Sequence, residues 1–234
     1  MFESKYSRLL TGVLVVVIIV IIVLLAILGY NFFKKSTIEK ETSEFVNDFV
    51  KEEKEEEKEE EEKEEEKEEE KKEEKEEEEE TSFGNIPTPN EGDGVSGTVT
   101  IPKYKGYNVL GTMEIPATKF KYPILERATN KALEVSVGFL YGAGINKEGN
   151  STISGHNYRN GLFFSNNKKL NIGDKIYIQD NTGKKVTYTI YKKFETTPED
   201  VSFYARDTQG KPEITLTTCT DDSKKRLIIF AKAE

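Results

Sequence analysis

Glu213-Ile214-Thr215-Leu216-Thr217-Thr218-Cys219 reads as a β-strand that ends on the only cysteine in the chain. A second strand-like run, Asn150-Ser151-Thr152-Ile153-Ser154-Gly155-His156-Asn157, carries the only histidine. Both runs pass from apolar or β-branched residues into polar loops at the reactive side chain, and strand ends that meet loops are where sites are commonly assembled. A thiolate is a strong nucleophile, but a free thiol is mostly protonated at neutral pH and needs a base or a cation beside it. His156 is the one side chain whose ordinary titration range lies near neutrality, which makes it the natural proton carrier. Acyl transfer also needs a donor for the oxyanion of the tetrahedral intermediate. Arg226 follows Cys219 after six intervening residues, so a hairpin loop over 220–225 would return it to the same end of the sheet. Its guanidinium, permanently charged and rich in donors, suits that role. The competing reading is a small buried thiol and a structural imidazole.

The rest of the chain is a mosaic. Its 234 residues carry a net charge of −9, but residues 51–80 hold 22 Glu and 8 Lys, so that run contributes −14 and the remainder is +5. One Cys forbids an internal disulfide, and one Cys with one His cannot complete a four-ligand zinc site. Leu9–Gly29 is almost continuously apolar. About 20 such residues cross the hydrocarbon core as a helix. Lys5 and Arg8 precede the run, and Tyr30, Phe32, Phe33, Lys34 and Lys35 follow it, as interfacial residues do. The run is too long for a signal peptide and lacks a small-residue cleavage site. Ser36–Val50 is mildly amphipathic. In the Glu/Lys run, pairs such as Glu60–Lys63, Glu64–Lys67 and Glu68–Lys71 support a solvated helix, and the lack of an apolar stripe excludes a coiled coil. A semi-rigid or disordered spacer is the expected role. Thr81–Gly97, rich in Gly, Pro, Asn and Ser, reads as a flexible joint. The expected organisation is therefore a short cytoplasmic tail (1–8), a transmembrane anchor (9–33), a spacer and linker (34–97) and a folded domain (98–234).

In the folded part the signals are β. Val99–Ile101, Val109–Ile115, Phe120–Leu125, Ser151–Ser154, Lys175–Gln179, Lys185–Thr196, Ile214–Cys219 and Arg226–Lys232 read as strands. Asp180-Asn181-Thr182-Gly183 marks a hairpin turn. Asn130–Val137 reads as a short helix capped by Thr129 or Asn130. Gly138–Gly149 reads as a Gly-rich loop, Leu162–Leu170 as a helical turn and Thr197–Lys211 as a polar loop. Seven or eight short strands with little helix predict a closed or nearly closed β-barrel.

Thr215-Leu216-Thr217-Thr218-Cys219 resembles the TLxTC signature of sortases, the cysteine transpeptidases of Gram-positive surfaces. Gly149–His156 is similar to the segment that delivers the sortase histidine, and Arg226-Leu227-Ile228-Ile229 to the family's arginine strand. Ile115-Pro116, Tyr122-Pro123-Ile124 and Gly138-Phe139-Leu140-Tyr141-Gly142 fit the same pattern, and the likeness covers about Val109–Glu234. It implies a closed eight-stranded β-barrel with one or two short helices, carried behind a transmembrane helix and an acidic spacer. It implies that Cys219 attacks a C-terminal sorting motif of a secreted protein and forms a thioester, that His156 moves the protons, and that Arg226 holds substrate and oxyanion. Thr218 and Ser154, beside the thiol and the imidazole, are the expected substrate contacts. Thr197–Lys211 matches the family's substrate-recognition loop. The expected acceptor is an amine of a peptidoglycan precursor or a pilin lysine. The membrane is engaged through the N-terminal helix, the catalytic domain lies outside the cytoplasm, and no nucleic acid is involved. No cofactor is expected, with calcium at acidic residues near Glu195, Glu199 and Asp200 as the alternative. Class B and class D-like features both occur, so the class stays open. A cysteine hydrolase on the same fold and a non-catalytic surface or scaffold protein are the other readings.

Overall fold

A computed structural model describes residues 2–78 and 101–234, with side chains over 10–51 and 101–234. The expected joint at Thr81–Gly97, the 97/98 boundary, most of the Val99–Ile101 strand and the side chains of the Glu–Lys pairs lie outside the described residues. The chain divides into two compact units, Met1–Glu44 and Phe45–Glu234.

In the first unit, helix α1 (Phe2–Glu78) begins and runs unbroken through the apolar stretch into the second. Between Leu10 and Leu28 its large apolar side chains face outward, Val15 at 49% and Leu28 at 64% exposed. Such a surface is costly in water and suited to lipid. Among the described residues this is the one helix long and apolar enough to cross a membrane.

Among its described residues the second unit is built on nine strands: β1 (Lys103–Tyr104), β2 (Tyr107–Ile115), β3 (Phe120–Leu125), β4 (Val137–Gly142), β5 (Gly149–Ser154), β6 (Lys175–Asp180), β7 (Lys185–Thr196), β8 (Pro212–Cys219) and β9 (Arg226–Ala233). Eight of them follow the order β2-β3-β4-β5-β8-β9-β7-β6, and β2 pairs again with β6, which closes the barrel as the strand pattern predicts. β1 only extends β2. The interior is filled by Met113, Ile124, Ile153, Ile178, Ile190, Ile214 and Leu216, each 0–1% exposed. Each such side chain contributes roughly 1.5–3 kcal/mol of burial free energy.

Two local expectations change, and the helical turn expected over 162–170 is present. Gly138–Gly149 is not one loop, because Val137–Gly142 is strand β4, parallel to β3 and antiparallel to β5. Its glycines reflect close backbone approach: a Cβ on Gly138 would lie 2.8 Å from the Ala128 Cα, and one on Gly142 2.2 Å from the Asn150 carbonyl oxygen. The helix expected over 130–137 is a single turn, α2 (Asn130–Leu133). Thr129 caps it by accepting from the Ala132 N–H, and Ser136 then turns away to donate to the Pro123 carbonyl. Within 162–170 the turn is a 3-10 helix over Phe164–Lys169.

One packing contact had no sequence signal. Phe49, 3% exposed, joins Tyr104, Val109, Leu125 and Ala132 in one apolar cluster, with Phe45 packed against it. The Phe45 and Tyr104 ring centroids lie 5.0 Å apart, and Lys121 Nζ donates to Asn47 Oδ1 at 2.7 Å. Phe49 and Tyr104, on either side of residues 50–103, therefore meet in one cluster. Phe49→Ala is expected to destabilise this unit by about 3 kcal/mol, at the low end for a buried Phe because the cluster sits at the barrel's edge. Denaturant unfolding of the full chain measures it.

Candidate active site

The β8–β9 hairpin sets the first pair of groups. Its antiparallel register ends on Cys219 opposite Arg226. The six-residue connection is a hydrogen-bonded turn. The Thr220 N–H donates to the Lys225 carbonyl at 3.0 Å, the Lys225 N–H to Thr220 Oγ1 at 3.1 Å, and the Lys224 N–H to Asp222 Oδ1 at 3.1 Å. The Thr220 hydroxyl, donating to Asp222 Oδ1 at 2.6 Å, and then the Lys224 N–H hold the Asp222 carboxyl below the usual carboxylate range. The result is that Arg226 Nη1 donates to Cys219 Sγ at 3.1 Å. A permanent cation there can donate to an anionic oxygen formed next to the sulfur.

The histidine arrives on the neighbouring strand. β5 and β8 are parallel, with Ser154 opposite Thr217. The Gly155 N–H donates to the Thr217 carbonyl at 3.2 Å, and Thr218 Oγ1 donates to the Gly155 carbonyl at 2.7 Å. His156 follows β5 by two residues, at the same end of the sheet at which β8 ends on Cys219. The His156 carbonyl accepts from the Phe164 N–H at 3.1 Å, and its half-buried ring lies 4.9 Å from the Tyr158 ring. Burial, then the nearby Glu134 carboxylate, pushes the Tyr158 hydroxyl above its ordinary range. The structure thus brings His156, Cys219 and Arg226 to one end of the β5-β8-β9 sheet. Ser154 is half-buried, between Gly138 and Thr217 in register. Thr218, 4% exposed, commits its hydroxyl to Gly155 and still lines the cavity next to the thiol.

Sequence reasoning missed the clamp behind these groups. Asn157 Nδ2 donates to the Cys219 carbonyl and to Asp221 Oδ1, both at 3.0 Å. Asp221 also takes a bond from Lys168 Nζ, and its carbonyl accepts from Arg159 Nη1 at 2.7 Å. Lys168 first, then Asn157, holds the Asp221 carboxyl below the usual range. The clamp ties the chain leaving β5, one residue past His156, to the chain leaving β8 at Cys219. Its members follow the His and the Cys by one and two residues, a signal visible only once β5 and β8 are known to be neighbours.

A cavity of about 500 Å³ opens on Cys219 and is lined by Phe164, Thr218, Leu227 and the charged side chains of Lys168, Asp221 and Lys225. Of the acidic residues considered for calcium, Glu195 faces Lys225 Nζ at 3.4 Å, and Asp200 accepts from Thr196 and Ser202. Among the described residues no group of three or more His, Cys, Asp or Glu is arranged to hold a metal ion.

The Sortase domain family model matches residues 113–234, half of the chain. The chain is 32% identical over 124 residues to Sortase A of Bacillus anthracis, a match covering 52% of this chain and 58% of that protein. It is 32% identical over 139 residues to Sortase A of Streptococcus agalactiae serotype III (strain NEM316), covering 54% and 53%. The matched region thus spans little more than half the length of these relatives. The fold is similar to a Clostridium perfringens Sortase D5 transpeptidase (TM-score 0.50, 29% identity, 54% of this chain and 79% of that one). It is also similar to Sortase A from Corynebacterium diphtheriae (TM-score 0.50, 28% identity, 55% and 61%).

Proposed function

The chain belongs to the sortase family, and from that premise we propose that it is a membrane-anchored cysteine transpeptidase acting on sorting signals of secreted proteins. The observation that carries this reading is the 3.1 Å contact between Arg226 Nη1 and Cys219 Sγ, at the strand end where the β5–β8 register brings in His156. The Cys219 sulfur attacks the scissile carbonyl carbon as its proton passes to His156, and Arg226 stabilises the oxyanion of the tetrahedral intermediate. As the C–N bond breaks, His156 gives that proton to the leaving amine, and a thioester remains on Cys219. An incoming amine attacks the thioester, His156 takes its proton and returns it to the departing sulfur, and the thiol is restored. The acceptor class is an amine of the cell wall or of a pilin subunit. The apolar part of α1 holds the barrel at the outer face of the membrane.

The test incubates the full chain in detergent with a panel of sorting-signal peptides and a primary amine. Mass spectrometry is expected to find an acyl adduct on Cys219 and a new amide to the added amine. No cofactor takes part in this scheme, so the rate is expected to survive chelation by EDTA. An acid product that forms at the same rate with and without the amine would instead mark a hydrolase. A Cys219 that resists alkylation in the folded protein and forms no adduct with any peptide would sink the enzyme reading.

A further inference from the structure

From Lys51 to Glu80 the chain holds only Glu and Lys, a composition that reads as a spacer between the apolar helix and the folded domain. The residues just ahead of it carry a different signal. Phe45, Val46, Phe49 and Val50 recur at i, i+1, i+4 and i+5, which places them on one side of α1 and leaves Asn47 and Asp48 on the other. The folded chain uses that stripe. Val46 is 0% and Phe49 3% exposed, Phe45 and Val50 are half-buried, and Asn47 and Asp48 are exposed. The Phe45 ring lies 6.3 Å from that of Phe49 and 5.0 Å from that of Tyr104. A polar contact flanks the apolar one: Lys121 of β3 donates to Asn47 Oδ1 at 2.7 Å and pairs with Glu114 of β2 at 2.6 Å.

The other side of the contact is held without help from α1. Tyr104 ends β1, and the two-residue turn Lys105-Gly106, with φ of 48° and 87°, returns the chain to Tyr107 opposite it. Two positive φ values in succession belong to the hairpin turn whose twist matches that of the strands. The Val109 N–H donates to the Pro102 carbonyl at 2.9 Å, just ahead of β1. Residues 102–104 are therefore fixed by β2.

α1 thus meets the barrel at Phe45–Val50, and the chain is on the barrel again at Tyr104, in the same apolar cluster, whatever path residues 51–103 take. A stretch with both ends fixed at one place adds nothing to the distance that the rest of the chain can span. At about 1.5 Å per residue, residues 30–44 of α1 measure about 22 Å, against about 74 Å for a tether that ran on to Glu78.

We propose that the Glu/Lys run is not part of the tether: α1 docks on the barrel through Phe45, Val46 and Phe49, residues 30–44 alone join the apolar run to the catalytic domain, and the run is a side arm whose length does not alter the reach of Cys219. The proposal rests on the reading of Leu9–Gly29 as the membrane anchor. It is independent of the reaction performed at Cys219.

The test places a donor dye on the barrel and an acceptor dye on the lipid. The full chain carries Cys219→Ala and Glu148→Cys, which puts the only thiol on an exposed residue next to the end of β5 that lies away from Cys219. It is reconstituted into phosphatidylcholine vesicles with a headgroup acceptor, because a neutral surface keeps the charge of the run from moving the barrel. Four forms are compared: this chain, the chain lacking residues 55–98, the chain with Phe45→Asp and Phe49→Asp, and the chain with both changes. Removal of 55–98 alone is expected to leave energy transfer within about 10% of the starting value, since the dock already sets the tether. Undocking alone is expected to lower transfer at least about twofold, because the tether then runs on to residue 102. Removal of 55–98 from the undocked chain is expected to restore most of that loss. The length of the run is therefore silent with the dock closed and felt with it open. A rise in transfer when the docked chain is shortened makes the run a spacer and overturns the proposal. Unchanged transfer on undocking overturns it too. If the aspartate variants unfold, as circular dichroism reports, the shortened docked chain decides alone. A chain that does not float with the vesicles overturns the anchor reading. Amide hydrogen exchange over 45–50 in detergent then decides the dock: protection kept after removal of 55–98 supports it, and protection lost overturns it.

Discussion

Cys219→Ala is expected to lower transpeptidation of any donor peptide by at least about 10⁴-fold, because covalent catalysis has no other nucleophile to use. The chain contains no second cysteine that could substitute. The loss should fall on kcat, with folding unchanged, since the Cys219 side chain is half-buried at a strand end and not in the barrel core. His156→Ala is expected to cost a comparable factor, and the double variant little more than either single one, because thiol and imidazole act as a unit. Single-turnover assays with mass detection of the acyl adduct measure all three. Residual activity of a tenth or more in Cys219→Ala, with the adduct on another residue, would falsify the assignment of the nucleophile.

Arg226→Lys should show the second largest effect, a loss of about 10²–10³-fold in kcat. The charge is retained, so a small loss would mean that any cation near the sulfur suffices. A large loss means that the donor geometry matters: an ammonium is a compact point charge, whereas a guanidinium can hold one N–H on the sulfur and aim another at the oxyanion. The side chain belongs to the register pair that closes the β8–β9 ladder, and the turn over 220–225 is held by its own hydrogen bonds, so the backbone should not move. Arg226→Ala is expected to lose as much or more. A kcat within threefold of wild type for the lysine variant, at matched folded content by circular dichroism, would remove the oxyanion role.

Much of this was legible in the sequence because it is local. The strand written into Glu213–Cys219 is present as Pro212–Cys219, and those expected over Phe120–Leu125 and Lys185–Thr196 have their anticipated bounds. Alternation of apolar and polar residues reports which face of a strand is buried, and that information lies within a few neighbouring residues. The single Cys and single His were equally plain. The glycines of β4 misled because glycine marks two different needs: a backbone free to turn, and a backbone with a neighbour too close for a Cβ. Composition does not distinguish them: at Gly138 the second need holds, and at Gly142, whose φ is +124°, both do.

By itself, then, the sequence determined the apolar helix and the strands other than β1 and β4, and it singled out His156, Cys219 and Arg226. The pairing of Cys219 with Arg226 was within its reach too, since a six-residue hairpin connection is a local matter. Only the tertiary structure decided the parallel pairing of β5 with β8, which brings His156 and Cys219, 63 positions apart in the chain, to the same end of the sheet. The Asn157–Asp221 clamp and the seating of Phe49 on the barrel were decided in the same way. Each joins residues far apart in the chain, and such contacts form because several segments bury a common core, an outcome no single segment encodes.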